Sequence, residues 1–263
     1  YNTDNDADAT PTQFLDIGVR PNDVAISQDS RIAGFVSNEA QRVTFVNLTN
    51  NTIQGQIPLL GIAAGQSGGA YITVGPNGMF YISAEDRVLE IDPNYRPAAS
   101  NAPLDSSAIR RTFSFAGAKI GKLQFTPDGT RAFVLNTTPA NSANLYFINL
   151  ALNGPGGYSS VLTNSLGGNV FGKIFIGGNS VAYAITTRGS VAREKIYEMS
   201  IPPVPGPTEN TGLPDFREAF FGSVGNLAIA DQVVFSKEYP NPSRAIISAP
   251  LSQLSGAAQS TVY

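Results

Sequence analysis

The chemistry open to this chain is set first by what it lacks. Among its 263 residues there is neither histidine nor cysteine. That removes the usual general base of nucleophile triads, the commonest transition-metal ligand and every thiolate zinc site. Carboxylate, lysine, tyrosine and hydroxyl chemistry remain, or a hard cation held by oxygens. Asp4, Asp6 and Asp8 alternate through Asp4-Asn5-Asp6-Ala7-Asp8, the spacing at which a calcium loop gathers its ligands, so calcium is the one cofactor these residues suggest. Such a loop also needs a central glycine and a glutamate at its twelfth position, where Leu15 stands. The competing reading of residues 1–11 is an acidic, flexible tail. Gly65-Gln66-Ser67-Gly68-Gly69 and Gly154-Pro155-Gly156-Gly157 lack the lysine and following helix of a phosphate loop and read as connections. Asn47, Asn50 and Asn136 head Asn-x-Thr glycosylation sequons, in a chain rich enough in Asn and Thr to contain them by chance.

Charge and hydropathy narrow the partners. Seventeen Lys and Arg face twenty Asp and Glu, with no basic stretch to supply the counterion release that drives nucleic-acid binding. No apolar run approaches the length of a membrane-spanning helix. Charged residues are only 14% of the chain, so the surface is built from Ser, Thr, Asn, Gln and Gly, a composition commoner on exported proteins. The expectation is a secreted, extracellular or cell-surface location, the periplasm being the alternative.

The elements that position these side chains repeat along the sequence. Five times an apolar run meets a turn carrying Asp or Asn and is followed by a second run: Val24–Ser27 then Gly34–Val36, Tyr71–Val74 then Met79–Ile82, Leu123–Thr126 then Ala132–Leu135, Ile174–Ile176 then Val181–Ile185, and Leu227–Ala230 then Val233–Phe235. The turn residues Asp29, Asn77, Asp128, Asn179 and Asp231 stand 48, 51, 51 and 52 residues apart. A third run follows each pair, at Arg42–Leu48, Arg87–Ile91, Leu145–Leu150, Lys195–Met199 and Ala245–Leu251, and a fourth in the first four repeats, at Thr52–Leu59, Arg110–Ala116, Tyr158–Leu162 and Arg217–Val224. Alternating β-branched and aromatic residues make these runs half-buried strands. Four antiparallel strands per fifty or so residues is a propeller blade. The expected fold is therefore all-β, a five-bladed β-propeller over residues 12–251 with a C-terminal tail or closing segment at 252–263. Gln13–Val19 would add the missing strand of the last blade and close the ring, leaving no open edge. The alternative is a fragment of a seven-bladed ring. Ile201–Pro214, with five prolines, reads as an extended surface connection.

Pro21-Asn22-Asp23-Val24-Ala25-Ile26-Ser27-Gln28-Asp29-Ser30, then Phe35-Val36-Ser37-Asn38 and Val43-Thr44-Phe45-Val46-Asn47, resembles the YVTN-type propeller repeat. That pattern runs Pro-x-x-Val-Ala-Val-Ser-Pro-Asp-Gly, Tyr-Val-x-Asn, Val-x-Val-Ile-Asp. Leu123–Asn136, with Thr126-Pro127-Asp128-Gly129, is similar to it in the same way. Gln28-Asp29-Ser30 replaces Pro-Asp-Gly and Val46-Asn47 replaces Ile-Asp in the first copy. The resemblance implies a seven-bladed relative and brings lactonase-like propellers into view, which hold a divalent cation in the central channel. On that implication Asp23, Glu85, Asp86, Asn226 and Glu238 become candidate cation ligands, although no motif ties them together.

These readings converge on a non-enzymatic extracellular or cell-surface propeller that presents loops on one face to a protein or glycan partner, or packs into an assembly. A divalent-cation-dependent hydrolase or lactonase is the alternative enzyme reading. A carbohydrate-binding lectin is the third; against it stands the absence of Trp, leaving Tyr239 as the one loop aromatic.

Overall fold

The computed structural model describes residues 15–17, 20–59, 70–95, 102–115, 117–137, 143–150, 158–162, 170–176, 181–187, 196–201, 215–218, 232–235 and 245–248. The chain divides into two units, Tyr1–Thr112 and Phe113–Tyr263.

The first unit begins with a meander of β1 (Asp23–Ile26), β2 (Ile32–Ser37), β3 (Arg42–Asn47) and β4 (Thr52–Pro58), hydrogen-bonded in that order and antiparallel throughout. A second meander holds β5 (Tyr71–Val74), β6 (Phe80–Ala84), β7 (Arg87–Ile91) and β8 (Ile109–Ser114). Because side chains alternate across a strand, one face of the first sheet collects Val36, Val43, Phe45 and Ile57, all buried in a common core with Ile72, Phe80, Ile82 and Ile91. Phe45 meets Phe80 edge-on, ring centroids 5.1 Å apart. Each such side chain contributes about 2 kcal/mol by leaving water.

Two glycines let the sheets approach. A Cβ on Gly34 would lie 2.6 Å from Ile72 Cδ1. At Gly55 the obstacle is backbone: a Cβ would lie 2.4 Å from the Leu104 nitrogen and 2.7 Å from its Cα. There β4 forms a parallel bridge to Leu104, whose N–H donates to the Gln54 carbonyl at 2.8 Å.

The second unit contains the sheet β9 (Gln124–Phe125), β10 (Arg131–Leu135), β11 (Ala143–Asn149), β12 (Tyr158–Leu162), and the sheet β13 (Val170–Ile176), β14 (Val181–Thr187), β15 (Ile196–Ser200), β16 (Asp215–Glu218). A two-stranded sheet of β17 (Gln232–Phe235) and β18 (Ala245–Ser248) follows. Phe133, Leu145, Phe147, Ile174, Ala182 and Met199 form one buried cluster.

In each described copy of the periodic turn the Asx side chain accepts from the backbone N–H two residues on, and two copies add a hydroxyl donor. Ser27 and Thr126 donate their hydroxyls to Asp29 and Asp128 Oδ1, both at 2.6 Å. Those carboxylates accept in turn from the Arg31 N–H at 3.2 Å and the Thr130 N–H at 3.0 Å. In the second repeat the Asn77 side chain accepts from the Met79 N–H at 3.2 Å. The residue after each Asx is left-handed, Gly78 at φ 78° and Gly129 at φ 69°, but Ser30 holds φ 57° without glycine's freedom. Asn179 and Asp231 lie outside the described residues.

Tyr71–Val74, Arg87–Ile91 and Tyr158–Leu162 are strands over the ranges the sequence predicts. Leu123–Thr126 shortens to Gln124–Phe125, and Thr126 belongs to the turn, its N–H and hydroxyl bonding the Arg131 carbonyl and Asp128. Leu227–Ala230 lies outside the described residues, as does most of Gln13–Val19. The described part of the latter, residues 15–17, carries no strand, and the Ile17 carbonyl accepts from Thr44 Oγ1 at 3.1 Å.

Candidate functional site

A buried polar cluster lies on the second sheet of the first unit. Tyr81 on β6 stands opposite Thr73 on β5 and Glu90 on β7, so the three share one face. Tyr81 and Glu90 are 1% and 5% exposed. The Tyr81 hydroxyl donates to Glu90 Oε2 at 2.7 Å and accepts from Asn77 Nδ2 at 3.0 Å. Arg111 on β8 closes the cluster, its Nε 3.1 Å from both Glu90 oxygens. Burial, then the Glu90 hydrogen bond and charge, push the Tyr81 phenol well above the usual tyrosine range. Burial works against the Arg111 charge, but Glu90 outweighs it and the guanidinium is held more firmly protonated than usual. Glu90 is therefore engaged by a cation and a phenol that both keep their protons. Tyr81, Glu90 and Arg111 thus form a paired network rather than an acid and base pair, while Thr73 Oγ1 beside them is buried with no partner among the described residues. The sequence signal for it is one charge inside the apolar run Val88-Leu89-Glu90-Ile91.

Asp23 joins the two sheets. Oδ1 accepts from the Val24 N–H at 3.0 Å and Oδ2 from the Ile72 N–H at 3.1 Å. Asn38 repeats the device, accepting from the Ala70 N–H at 2.9 Å, while its own N–H donates to Asn22 Oδ1 at 2.6 Å. Glu85 and Asp86 form the two-residue turn between β6 and β7; Glu85 is left-handed at φ 49°, and Asp86 sits 3.2 Å from the neighbouring Arg87. Asp23 thus serves one joint between sheets and the Glu85–Asp86 pair a hairpin tip. Asp4, Asp6, Asp8, Asn226, Glu238 and Tyr239 lie outside the described residues. Among the described residues no group of three or more acidic side chains could hold a metal ion.

The three sequon asparagines occupy different surroundings. Asn136 is 2% exposed and its Oδ1 accepts from the Lys119 N–H at 3.1 Å. Asn47 ends β3, half-buried, with Oδ1 accepting from the Thr49 N–H at 2.8 Å. Asn50 is exposed on the turn before β4.

Arg131 was not legible as a special position. Counting three residues on from each turn residue gives Ile32, Phe80, Arg131, Ala182 and Val234, four apolar residues and one guanidinium. Arg131 is 2% exposed, its guanidinium 5.6 Å over the Phe147 ring. Its Nε and Nη2 are buried and meet no acceptor among the described residues. Burial lowers its proton affinity and the Asp128 charge opposes that.

No family profile matches the chain, and no curated protein does. Solved structures do. Hydrazine synthase of Kuenenia stuttgartiensis is 11% identical with a TM-score of 0.49, over 70% of this chain and 52% of that one. A protein of unknown function from Desulfotomaculum acetoxidans is 20% identical with a TM-score of 0.51, over 89% and 66%. A candidate 6-phosphogluconolactonase from Bacteroides fragilis is 12% identical with a TM-score of 0.51, over 94% and 69%. The chain thus spans from about half to about two thirds of the length of these structures. The likeness is one of fold: these antiparallel four-stranded sheets are blades of the β-propeller type.

Proposed function

We propose that the chain is a non-enzymatic binding scaffold, a propeller of five blades closed by Gln13–Val19 and working outside the cell or at its surface. The observation that carries the scaffold reading is the employment of Asp23. Asp23, the first residue of β1, is one of the candidate cation ligands, yet both its oxygens accept from backbone N–H groups, one in its own sheet and one in the next. Asp29, Asp92, Asp105 and Asp128 likewise bind the backbone of their own turns. Acids used this way lock a frame, and a locked frame suits recognition by loops. In the meander of β5 to β8 the first and third connections leave from the same end of the sheet, and we propose that end as the partner surface.

The second reading is a cation-dependent lactonase, favoured by the fold likeness to the Bacteroides protein. One experiment separates them. The protein and its Asp23→Asn variant are assayed against a panel of sugar lactones with magnesium, calcium, manganese or zinc, and their melting is followed with and without EDTA. The scaffold reading expects no turnover, no effect of EDTA and a lower melting temperature for the variant. Cation-dependent turnover that Asp23→Asn abolishes would establish the lactonase instead.

A further inference from the structure

The three sequons are equivalent in sequence and unequal in the fold, and we infer that Asn50 is the position at which this chain carries an N-linked glycan. The inference rests on the extracellular reading above. Asn50 lies in the exposed turn between β3 and β4, flanked by exposed Thr49, Asn51 and Thr52. Asn51 holds a left-handed φ of 53° that carries the chain round the tip. Thr52 donates its hydroxyl to Asn50 Oδ1 at 2.7 Å, so the first and third residues of the sequon meet side chain to side chain at the tip. That bond engages the amide oxygen, and the residue as a whole is exposed.

The other two sites fail for stated reasons. Asn136 is buried, and its side chain fixes the Lys119 backbone. A glycan there would have to be accommodated inside the second unit, at the loss of that hydrogen bond. Asn47 is paired in register with Ile32 and Thr52 at the end of the first sheet. It also lies three residues from Asn50, so a glycan on one obstructs the other.

The reaction needs a lipid-linked oligosaccharide pyrophosphate and its transferase. The Asn50 Nδ2 bonds to the anomeric carbon, the bond from that carbon to the pyrophosphate oxygen breaks with its electron pair, and the amide gives up one proton to a transferase base. The folded state then decides which modified chains are tolerated, because a glycan on a buried residue opposes folding while one on a hairpin tip does not.

The full chain is secreted from a eukaryotic host, and occupancy at each site is read by peptide mass mapping before and after glycosidase treatment. The expected result is a glycan on Asn50 as the dominant species, a loss of the mass shift in Asn50→Gln and no change in Asn136→Gln. An unmodified Asn50 in well-secreted protein, or a glycan mapped to Asn136 in protein that melts cooperatively, would overturn the inference. Fractionation of the source cells tests the location separately. Native protein inside the cell, together with an Asn50 glycan in the secretory host, would refute the extracellular reading and with it the native glycan, while leaving Asn50 the competent site.

Discussion

Replacing Gly55 by alanine should be the most damaging single-methyl change in the first unit. The new Cβ would fall 2.4 Å from the Leu104 nitrogen and 2.7 Å from its Cα, where ordinary contact begins near 3.4 Å. The neighbour is main chain and cannot rotate away, so the segments must part by about 1 Å. Parting them stretches the 2.8 Å bond from the Leu104 N–H to the Gln54 carbonyl, at roughly 1–3 kcal/mol for a hydrogen bond broken in a buried place. Overpacking adds about 1–3 kcal/mol. The sum, on the order of 4 kcal/mol, lowers the melting temperature by about 10 °C for a protein of this size. Thermal unfolding followed by circular dichroism reads it directly. Gly121→Ala is the control, since its Cβ would meet nothing nearer than Thr137 Cγ2 at 3.5 Å. A Gly55→Ala protein that melts within about 3 °C of the parent would refute the bridge between β4 and Leu104.

Ser30→Gly should raise stability by roughly 0.5–1 kcal/mol, the left-handed strain relieved less glycine's entropy cost; chemical denaturation measures it, and a destabilised variant would contradict the φ of Ser30. Glu90→Gln should cost about 3–5 kcal/mol by stranding the Arg111 charge, and adding Arg111→Met should recover much of the loss. An unchanged melting temperature in Glu90→Gln would show the network to be idle. The Asp128 carboxylate sits below its usual pKa: burial opposes this, but the Thr126 and Thr130 hydrogen bonds and the Arg131 charge outweigh it. The resulting stability is present above the unfolded carboxylate pKa of about 3.9 and lost as pH falls through the lower folded value. Asp128→Asn keeps an acceptor for the turn, so its melting temperature should fall less than the parent's between neutral pH and pH 3. Arg131→Leu should be neutral or stabilising, since it replaces a guanidinium whose Nε and Nη2 meet no acceptor among the described residues by the apolar kind of residue found in the other repeats; a drop of more than about 5 °C would mean that the cation has a partner of consequence.

Strand positions were legible because period-two alternation and Asx turns are local: Ser27-Gln28-Asp29 and Thr126-Pro127-Asp128 announce a turn whose bonds close within a few residues. The grouping of strands into four-stranded antiparallel sheets followed from their spacing. The tasks of Asp23, Asn38 and Gly55 were not legible, because each depends on a backbone atom some thirty to fifty residues away. Glu90 and Arg111 are joined across strands in the same way, and no local pattern links positions 90 and 111. Arg131 escaped notice for a different reason: an arginine after Asp-Gly-Thr looks like an exposed turn residue until the strand pairing places it at the core-facing start of β10.

The self-contained turn has a kinetic consequence. Ser27 N–H to the Ile32 carbonyl, Ser30 N–H to the Ser27 carbonyl and the Asp29 acceptor all close loops of a few residues, so the first hairpin of a repeat can form on the microsecond scale before any distant contact exists. The joints at Asp23, Asn38 and Leu104 reach from the first repeat into the next. A chain assembled this way grows from neighbour to neighbour. The finished first sheet offers the second a surface with its acceptors already in place, as in repeat proteins where folding spreads outward from whichever unit forms first.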